Sequence, residues 1–390
     1  MRKISPILLL LFLFAVNGFA QKTWISAGAS NWNNGANWSP AGVPGPADVV
    51  TFNATGLGNC TLDIAPTVAG ITINGYTGTI NLNGFDLTTT GNNTFTTGTI
   101  NNGGASGAVT LNTTGSTTFN GTTFGANING TTGRVFFNGS NFNGSVTLSK
   151  TDNNNDNSSG NNIFNGTTTL TNLGAGWLLL GNTNRDQFNG NTIFNNNGTF
   201  RFYFAHNHGG QTTTFTNLTL NSNKSGGLDV FSFFGAEGAN TRYSISGTLT
   251  INCAGTLQSN YRFLQGAGST ASYTGPVVIN VTNTNAATDI QMGTNGTSTY
   301  GGNISITNSG GTEVYFNLNA SSSSTLGAGA TLSVSSFASG LLSLPRFTQT
   351  GGTAQTLALS GTGALTLGPA TVFGGNVDFR SPQLNLSGVT

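Results

Sequence analysis

An aromatic residue followed by Asn and Gly recurs along this chain at a nearly constant interval. Phe119, Phe142, Phe164 and Phe188 each begin such a triplet, with about 22 to 24 residues between successive members. One unit of this length is too small to enclose a hydrophobic core, so it must bury its apolar side chains against the next unit. The repeat therefore predicts an architecture of stacked units.

The series continues on both sides of these four units. Phe95 extends it towards the amino end. Later members, separated by about 27 to 30 residues, are Phe215, Tyr243, Tyr273 and Tyr300. Residues 373–377 repeat the pattern of residues 300–304 about three units later. Repetition thus extends over most of the chain.

Short segments inside each unit alternate apolar and polar residues, as residues 70–74 and 78–82 do. This alternation predicts strands of a few residues. Asn and Gly at the segment ends suit tight corners, because both tolerate left-handed backbone conformations. The chain contains 58 Gly and only 6% charged residues. A glycine-rich chain of this kind is a poor former of long helices, because each interior Gly costs about 1 kcal/mol relative to Ala.

Strand, corner, strand and corner within about 23 residues describe one coil of a parallel β-helix. The predicted fold is all-β: a right-handed parallel β-helix, or β-solenoid, of about fifteen coils with an N-terminal capping segment. Like side chains would then stack from coil to coil, Phe on Phe and Asn on Asn. A series of β-sandwich modules is the alternative, but the period is too short for modules of about 100 residues.

The sequence divides into three regions. Residues 1–20 combine a basic start, an apolar run and small residues before Gln21, which indicates a secretory signal peptide. Residues 21–60 are rich in Trp and are predicted to cap the first coil, because a solenoid end otherwise exposes its core and strand edges. Residues 61–390 are predicted to form the solenoid repeats. They stop in mid-pattern, so we expect a chain truncated at its carboxyl end.

The predicted signal peptide and the low net charge indicate where the protein is located and which partners it can bind. We expect an extracellular protein, secreted or at the cell surface, without a membrane-inserted segment in the mature chain. The formal net charge of +1 gives no basic surface for nucleic acid. Cys60 and Cys253 would lie about eight coils apart, too far for a disulfide, and are predicted to be unpaired.

The candidate binding residues are Trp24, Trp32 and Trp38. Aromatic rings present large flat apolar faces, and neighbouring asparagines could hydrogen-bond sugar hydroxyls, so this segment predicts a glycan-binding platform. The alternative assigns the same residues to the cap, with the asparagines in loops.

The candidate metal ligands are Asp152, Asn154 and Asp156. Their alternating oxygen-bearing side chains follow the pattern of a calcium loop, although Ile163 stands where a carboxylate should close the shell. A solvated corner is the alternative, and no other cofactor is predicted. A weaker metal hypothesis places His206 and His208 on one face of a strand. In that hypothesis further ligands would come from neighbouring coils, from Asp186 and Asp229.

Residues suited to catalysis are scarce in this chain. Glu237 and Glu313 are the only glutamates, and they should lie about three coils, hence about 15 Å, apart. A glycosidase needs two carboxyl groups about 5 to 9.5 Å apart. The sequence contains no nucleophile elbow or dinucleotide-binding turn. We therefore expect a non-enzymatic protein. A polysaccharide lyase or hydrolase is the alternative, because one fold can host many functions.

Residues 32–39 and 43–49, together with residues 347–350 and the repeat that begins at Phe373, carry a resemblance. They are similar to segments of large secreted adhesin-like repeat proteins of Bacteroidota-type bacteria. The resemblance implies a β-solenoid at the cell surface, often with a C-terminal sorting domain for type IX secretion, which is not visible in this sequence. It leads us to expect an adhesin-like structural protein that binds glycans or other cell-surface components.

Overall fold

The alternating segments pair with segments one repeat away and build an all-β solenoid. The computed structural model describes residues 20–224 and 230–386. About 47% of the protein is strand and about 1% is helix, and the stacked parallel strands form about 15 turns. The predicted all-β class, β-solenoid and number of coils are therefore confirmed. The predicted signal peptide lies outside the described residues except for Ala20, and the right-handed sense stays a prediction.

The structure contains 43 described strands and one short 3-10 helix, Gly35–Asn37. The first third of the chain contains β1 (Ala20–Trp24), β2 (Ser30–Asn31), β3 (Trp38–Ser39), β4 (Asp48–Phe52), β5 (Cys60–Thr61), β6 (Thr67–Val68), β7 (Gly70–Ile73), β8 (Thr79–Asn81), β9 (Leu87–Thr89), β10 (Asn93–Phe95), β11 (Thr99–Asn101), β12 (Ala108–Asn112), β13 (Ser116–Phe119), β14 (Thr123–Phe124) and β15 (Asn127–Thr132). The middle contains β16 (Arg134–Phe137), β17 (Asn141–Phe142), β18 (Val146–Lys150), β19 (Asp156–Asn157), β20 (Ile163–Phe164), β21 (Thr168–Asn172), β22 (Leu178–Leu179), β23 (Gln187–Asn196), β24 (Phe202–Phe204), β25 (Thr212–Ser222), β26 (Phe231–Gly235), β27 (Arg242–Ile245), β28 (Leu249–Cys253) and β29 (Asn260–Phe263). The last third contains β30 (Thr270–Tyr273), β31 (Val277–Val281), β32 (Asp289–Gln291), β33 (Thr297–Tyr300), β34 (Ile304–Asn308), β35 (Glu313–Tyr315), β36 (Ser323–Leu326), β37 (Leu332–Phe337), β38 (Leu341–Ser343), β39 (Phe347–Gln349), β40 (Gln355–Leu359), β41 (Ala364–Thr366), β42 (Val377–Arg380) and β43 (Gln383–Asn385).

These strands form three sheets that run along the solenoid. Sheet A has seven strands near the amino end and includes β1, β3, β4 and β16. Sheet B has 26 strands and extends along most of the solenoid, whereas sheet C has ten strands, from β19 to β43. Strand pairs between coils are parallel, and β1 with β3 is an antiparallel pair. No helix in residues 20–224 and 230–386 is long and apolar enough to cross a membrane.

The register of the parallel pairs confirms the repeat near the carboxyl end. Ile304 pairs with Leu332, and one coil later Ser333 pairs with Thr356. Gln355, the residue before Thr356, then pairs with Val377. Residues 300–304 and 373–377 thus occupy equivalent positions three coils apart, as predicted.

Aromatic rings fill the interior in columns that run from coil to coil. Phe142, Phe164 and Phe188 stack nearly parallel, with 4.6 Å between ring centroids at each step. Phe124 and Phe215 continue this column at its two ends, at 5.4 and 4.7 Å. These rings are at most 2% exposed. The predicted stacking of Phe on Phe is therefore confirmed for this column.

Three members of the predicted series, Phe95, Phe119 and Tyr243, belong to other columns. Phe119 pairs with Phe95 and Phe137 in sheet A, and it is Phe124 that shares a column with Phe142. The prediction was wrong here because Asn and Gly follow Phe137 as well as Phe142, so the triplet marks two corners of one coil. Tyr243 is likewise displaced: Tyr243 pairs with Ala271, and it is Ile245 that pairs with Tyr273.

Asparagine side chains form a ladder on an outward row of sheet B. The Nδ2 atom of Asn221 donates to Oδ1 of Asn195, and Asn252 and Asn280 repeat this bond, with distances of 2.8 to 2.9 Å. Each amide acts as a donor to one coil and an acceptor from the next. The predicted stacking of Asn on Asn is therefore also confirmed.

Stacked strands already occur within the residues predicted to form a cap. β1 pairs in parallel with β4, and β2 pairs in parallel with β5. β3 pairs antiparallel with β1 through Trp38 and Trp24, so it covers part of the outer edge of β1. The capping role of residues 21–60 stays a prediction. Cys60 and Cys253 are buried and unpaired, as predicted.

Replacing Phe164 with Ala should lower the free energy of unfolding by about 3 to 5 kcal/mol, because it leaves a cavity between Phe142 and Phe188. Urea denaturation followed by circular dichroism measures this change. Leu173→Ala is the control. Leu173 is 47% exposed, so its truncation should change the free energy by less than about 0.5 kcal/mol. Equal losses in the two variants would contradict the buried column.

Candidate functional site

The tryptophans of the predicted glycan platform lie in the core. Trp24, Trp32 and Trp38 are at most 1% exposed and pack against one another and against Phe52. The indole N–H of Trp24 donates to the carbonyl of Gly58 at 2.9 Å, and that of Trp38 donates to the carbonyl of Trp32 at 2.9 Å. The platform prediction is wrong, because a ring that stacks on a sugar needs a face open to solvent.

The predicted calcium ligands are already paired with other groups. Asp156 is fully buried, and its carboxylate accepts hydrogen bonds from Arg134 Nε at 2.9 Å and from the Val135 backbone N–H at 2.7 Å. Asp152 accepts from Lys150 Nζ at 3.1 Å, and the Asn154 amide donates to it at 2.8 Å.

Two positive charges therefore occupy the place that a calcium ion would take. Asp152, Asn154 and Asp156 do not form the predicted shell, because a cation at this corner would have to displace Lys150 and Arg134. In the parts of the chain that the structure describes, no three His, Cys, Asp or Glu side chains are placed to hold a metal ion.

The two histidines face different surroundings. His208 is buried, and its Nε2 lies 3.0 Å from the Thr213 hydroxyl, whereas Nε2 of His206 lies 3.0 Å from a carboxylate oxygen of Glu237. Neither lies in a strand, so the predicted shared face does not exist. Asp186 lies in the core, and Asp229 lies outside the described residues.

Asp186 is the centre of a buried polar network rather than a metal ligand. Its Oδ1 accepts hydrogen bonds from the backbone N–H and the side-chain amide of Asn162, at 3.0 and 2.8 Å. Burial nevertheless raises the pKa of Asp186 to about 7. Burial lowers the pKa of nearby His208 to about 4, so this histidine has the opposite pH dependence.

Replacing Asp186 with Asn should remove a loss of stability between about pH 4 and pH 7. Asp186 has an ordinary unfolded pKa of about 3.9 and a folded pKa of about 7, so the folded state holds the proton more tightly. The contribution of Asp186 to the free energy of unfolding is therefore largest below about pH 4 and falls as the pH rises to about 7.

The variant should equal the wild type near pH 4 and exceed it at pH 8 by on the order of 4 kcal/mol. Urea denaturation across this pH range measures the difference between the two proteins, in which the His208 contribution cancels. Asp378→Asn changes an exposed carboxylate and is the control. A constant difference between Asp186→Asn and the wild type across the range would contradict the buried, protonated carboxyl.

Outward side chains of sheet B form a surface composed mainly of Thr and Ser, which we call the hydroxyl face. One of its rows contains Thr214, Ser244, Ser272, Thr299, Thr325 and Thr348, paired in register from coil to coil. A second row, two residues earlier on each strand, contains Thr212, Arg242, Thr270, Thr297 and Ser323. Shallow grooves of about 230 and 280 Å³ lie over these rows.

Sheet C carries a different surface, which we call the outer strip. Its residues are Trp177, Leu179, Phe200, Arg201, Tyr203, Phe231, Phe234, Arg262, Asp289, Gln291, Glu313 and Tyr315. Leu179, Tyr203 and Phe234 form a hydrophobic cluster separate from the main core, and Trp177 and Phe231 pack on it. The strip therefore combines an aromatic end with a charged end along the solenoid.

Two arginines lie over the rings of the aromatic end. The Arg262 guanidinium lies 4.1 Å from the ring centroid of Phe231, and Arg201 lies 5.2 Å from the same centroid and 5.1 Å from that of Phe234. A guanidinium group close to the face of an aromatic ring is attracted by the electrons of the ring. These contacts hold the arginine heads in place along the strip.

The charged end places two carboxylates on neighbouring coils. Asp289 pairs in register with Glu313, so their Cα atoms are separated by about 4.8 Å. Burial raises the pKa of Asp289, and the Glu313 charge adds to this rise, whereas Gln291 and Arg262 oppose it. The Tyr315 hydroxyl donates to Glu313 at 2.5 Å.

The sequence analysis considered only the distance between the two glutamates and therefore missed the pair formed by Asp289 and Glu313. Glu237 is bonded to His206 and does not meet Glu313, as predicted, but Asp289 does. The sequence does contain a signal for the aromatic end of the outer strip, because apolar and polar residues stop alternating there. Most strands alternate apolar and polar residues, whereas residues 177–180 and 202–204 are continuously apolar. A strand with one face in the core then has apolar residues on its outer face as well.

Comparison of the chain with protein-family models, with curated proteins and with solved structures found no match.

Proposed function

We propose that this protein is an exported, non-enzymatic, adhesin-like rod that presents rows of hydroxyl and amide groups to glycans at a cell surface. The observation that supports this role most directly is the hydroxyl face. Its rows contain Thr and Ser on successive coils, with Arg242 as their one charged member. The pattern of residues 1–20 supports export.

The geometry of the hydroxyl face suits a ligand that is itself a repeating array of hydroxyl groups. Hydroxyls on adjacent coils are about 4.8 Å apart, and the two rows are about 6.6 Å apart along each strand. Each Thr or Ser hydroxyl can donate one hydrogen bond and accept others. Parallel pairing of the strands holds the array rigid, which lowers the conformational entropy lost on binding.

Binding through this face should depend on shape and hydrogen bonds rather than on charge. We expect the full chain to bind an immobilised cell-surface polysaccharide with an affinity that changes little between low salt and about 0.5 M salt. Ser272→Lys and Thr299→Lys place bulky charges in the groove and should weaken binding by about tenfold or more. Surface plasmon resonance measures both effects.

Thr250→Lys is the matched control, because Thr250 also points outward from sheet B but lies outside the two rows. It should leave binding unchanged. Circular dichroism checks that each variant retains the wild-type strand content. If the wild type bound no polysaccharide, or if all three lysine variants bound equally well, the hydroxyl face would not be the binding surface.

A carbohydrate-active enzyme is the second candidate, and the pairing of Asp289 with Glu313 favours it. Two carboxyl groups on neighbouring coils meet the spacing that glycosidases require more closely than the two glutamates do. An enzyme would release new reducing ends from a polysaccharide, and Glu313→Gln would abolish the release. The proposed non-enzymatic role predicts no release by the wild type. A reducing-end assay over a panel of polysaccharides decides between the two roles.

A further inference from the structure

A groove near the amino end of the solenoid, which we call the corner groove, lies where the chain turns from sheet B into sheet A. Its volume is about 480 Å³. Small-molecule sites in proteins enclose about 300 to 1,000 Å³. The grooves over the hydroxyl face, of about 230 and 280 Å³, are smaller than this. The corner groove is therefore large enough to hold a small ligand.

The corner groove follows the same corner of three successive coils. Ala69 lies between β6 and β7, Gly91 lies between β9 and β10, and Gly115 lies between β12 and β13. In each case the first strand belongs to sheet B and the second to sheet A. The two steps between these coils give the groove a length of about 10 Å along the solenoid.

Glycine allows these corners to stack closely. A Cβ atom at Gly91 would collide with the carbonyl oxygen of Ala69, and one at Gly115 would collide with Oδ1 of Asn92. The same Asn92 oxygen accepts a hydrogen bond from the Ser116 backbone N–H at 2.8 Å. This bond fixes the orientation of the Asn92 amide, whose Nδ2 group carries two donor hydrogens. A group held in this way loses little conformational entropy when a ligand binds.

Threonines make up half of the lining, five of its ten residues. Thr72 and Thr94 are neighbours on an outward row of sheet A, whereas Thr90 and Thr114 lie at the corners. Each threonine hydroxyl can donate one hydrogen bond and accept others. The threonine methyl groups and the Val49 side chain contribute apolar surface. The groove thus combines hydrogen-bonding groups of both kinds with apolar groups.

The lining restricts the class of ligand. None of its ten residues, all in the described part of the chain, is charged, so an ionic ligand would lose hydration without gaining an ion pair. A peptide that adds a strand needs an open sheet edge, but β7 is paired with β4 and β10, and β10 is also paired with β13. A neutral sugar meets both conditions, because its hydroxyls donate and accept hydrogen bonds and its ring C–H groups are apolar.

We propose that the corner groove binds a short neutral oligosaccharide of about the length of a disaccharide. Its hydroxyl groups bond the threonine hydroxyls and the Asn92 amide, and the apolar face of a sugar ring packs against Val49. The lining residues lie between positions 49 and 115, whereas the rows of the hydroxyl face begin at Thr212. The inference therefore holds whether or not the hydroxyl face binds a polysaccharide.

Saturation-transfer NMR of the full chain tests this site. The probes are cellobiose, maltose, lactose, xylobiose and mannobiose, each titrated to about 20 mM. At least one of them should give a saturable signal with a Kd below about 5 mM. The disaccharide of galacturonic acid should bind at least about tenfold more weakly, because no lining residue can pair with its carboxylates.

Substitutions on one row of sheet A locate the binding. Thr94 lines the groove, whereas Thr118 occupies the equivalent position on the next coil and lies outside the lining. Thr94→Trp places a bulky ring in the groove and should raise the Kd by about tenfold or more. Thr118→Trp is the matched control and should leave the Kd unchanged. Thr94→Val keeps the shape of the side chain but removes the hydroxyl, and should raise the Kd by about two- to tenfold.

Ser272→Lys, on the hydroxyl face, should leave the disaccharide Kd unchanged, which separates this site from the function proposed above. Circular dichroism shows whether each variant is folded. Thr114→Trp, at an exposed corner of the lining, supplies a second variant should Thr94→Trp fail to fold.

The absence of a saturable signal with every neutral disaccharide would overturn the proposal. Wild-type Kd values in both Thr94→Trp and Thr114→Trp would overturn it, as would an equal loss of binding in Thr94→Trp and Thr118→Trp. Binding of the galacturonic acid disaccharide as tightly as the best neutral probe would contradict the neutral class of ligand.

Discussion

Parallel pairing of each coil with the next, in register, is the constraint on which the rest of this structure depends. In the described residues, the pairing joins backbone N–H and C=O groups of neighbouring coils, so strands of only two to five residues remain ordered although none would be stable alone. Where the register is unbroken, it also places each strand side chain directly above its equivalent in the previous coil. Equivalent side chains of successive coils therefore form continuous columns, both in the core and on the surface.

Inside the rod, this stacking converts a repeated aromatic position into a continuous core. The column from Phe124 to Phe215 is held by near-parallel rings, and the Tyr273 and Tyr300 rings stack in the same manner at 4.8 Å. On the surface, the same stacking places side chains with similar functional groups in continuous rows. The hydroxyl face follows from Thr and Ser at one outward position, and the outer strip follows from aromatic and charged residues at another.

The repeat allowed the solenoid, the number of coils and the unpaired cysteines to be predicted, because each depends only on the period. The prediction that Phe119 shares a column with Phe142 was wrong, because the same aromatic-Asn-Gly triplet occurs at two different corners of one coil. The prediction of a glycan-binding tryptophan platform was wrong for a related reason, because the local sequence does not show which side chains face the core. Trp24, Trp32 and Trp38 point inward, whereas Trp177 lies on the outer side of sheet C.

The amino-acid sequence by itself determined that this protein is a stack of β-coils with a polar, nearly uncharged surface, because a period of about 23 residues with alternating polarity can bury its apolar face only against another coil. The tertiary structure alone decided which distant residues became neighbours. Asp289 and Glu313 lie on one row because the chain passes from β32 through β33 and β34 of sheet B and returns to sheet C in register at β35. Arg262 approaches Asp289 for the same reason, and the lengths of the intervening corners, rather than any local motif, set that register.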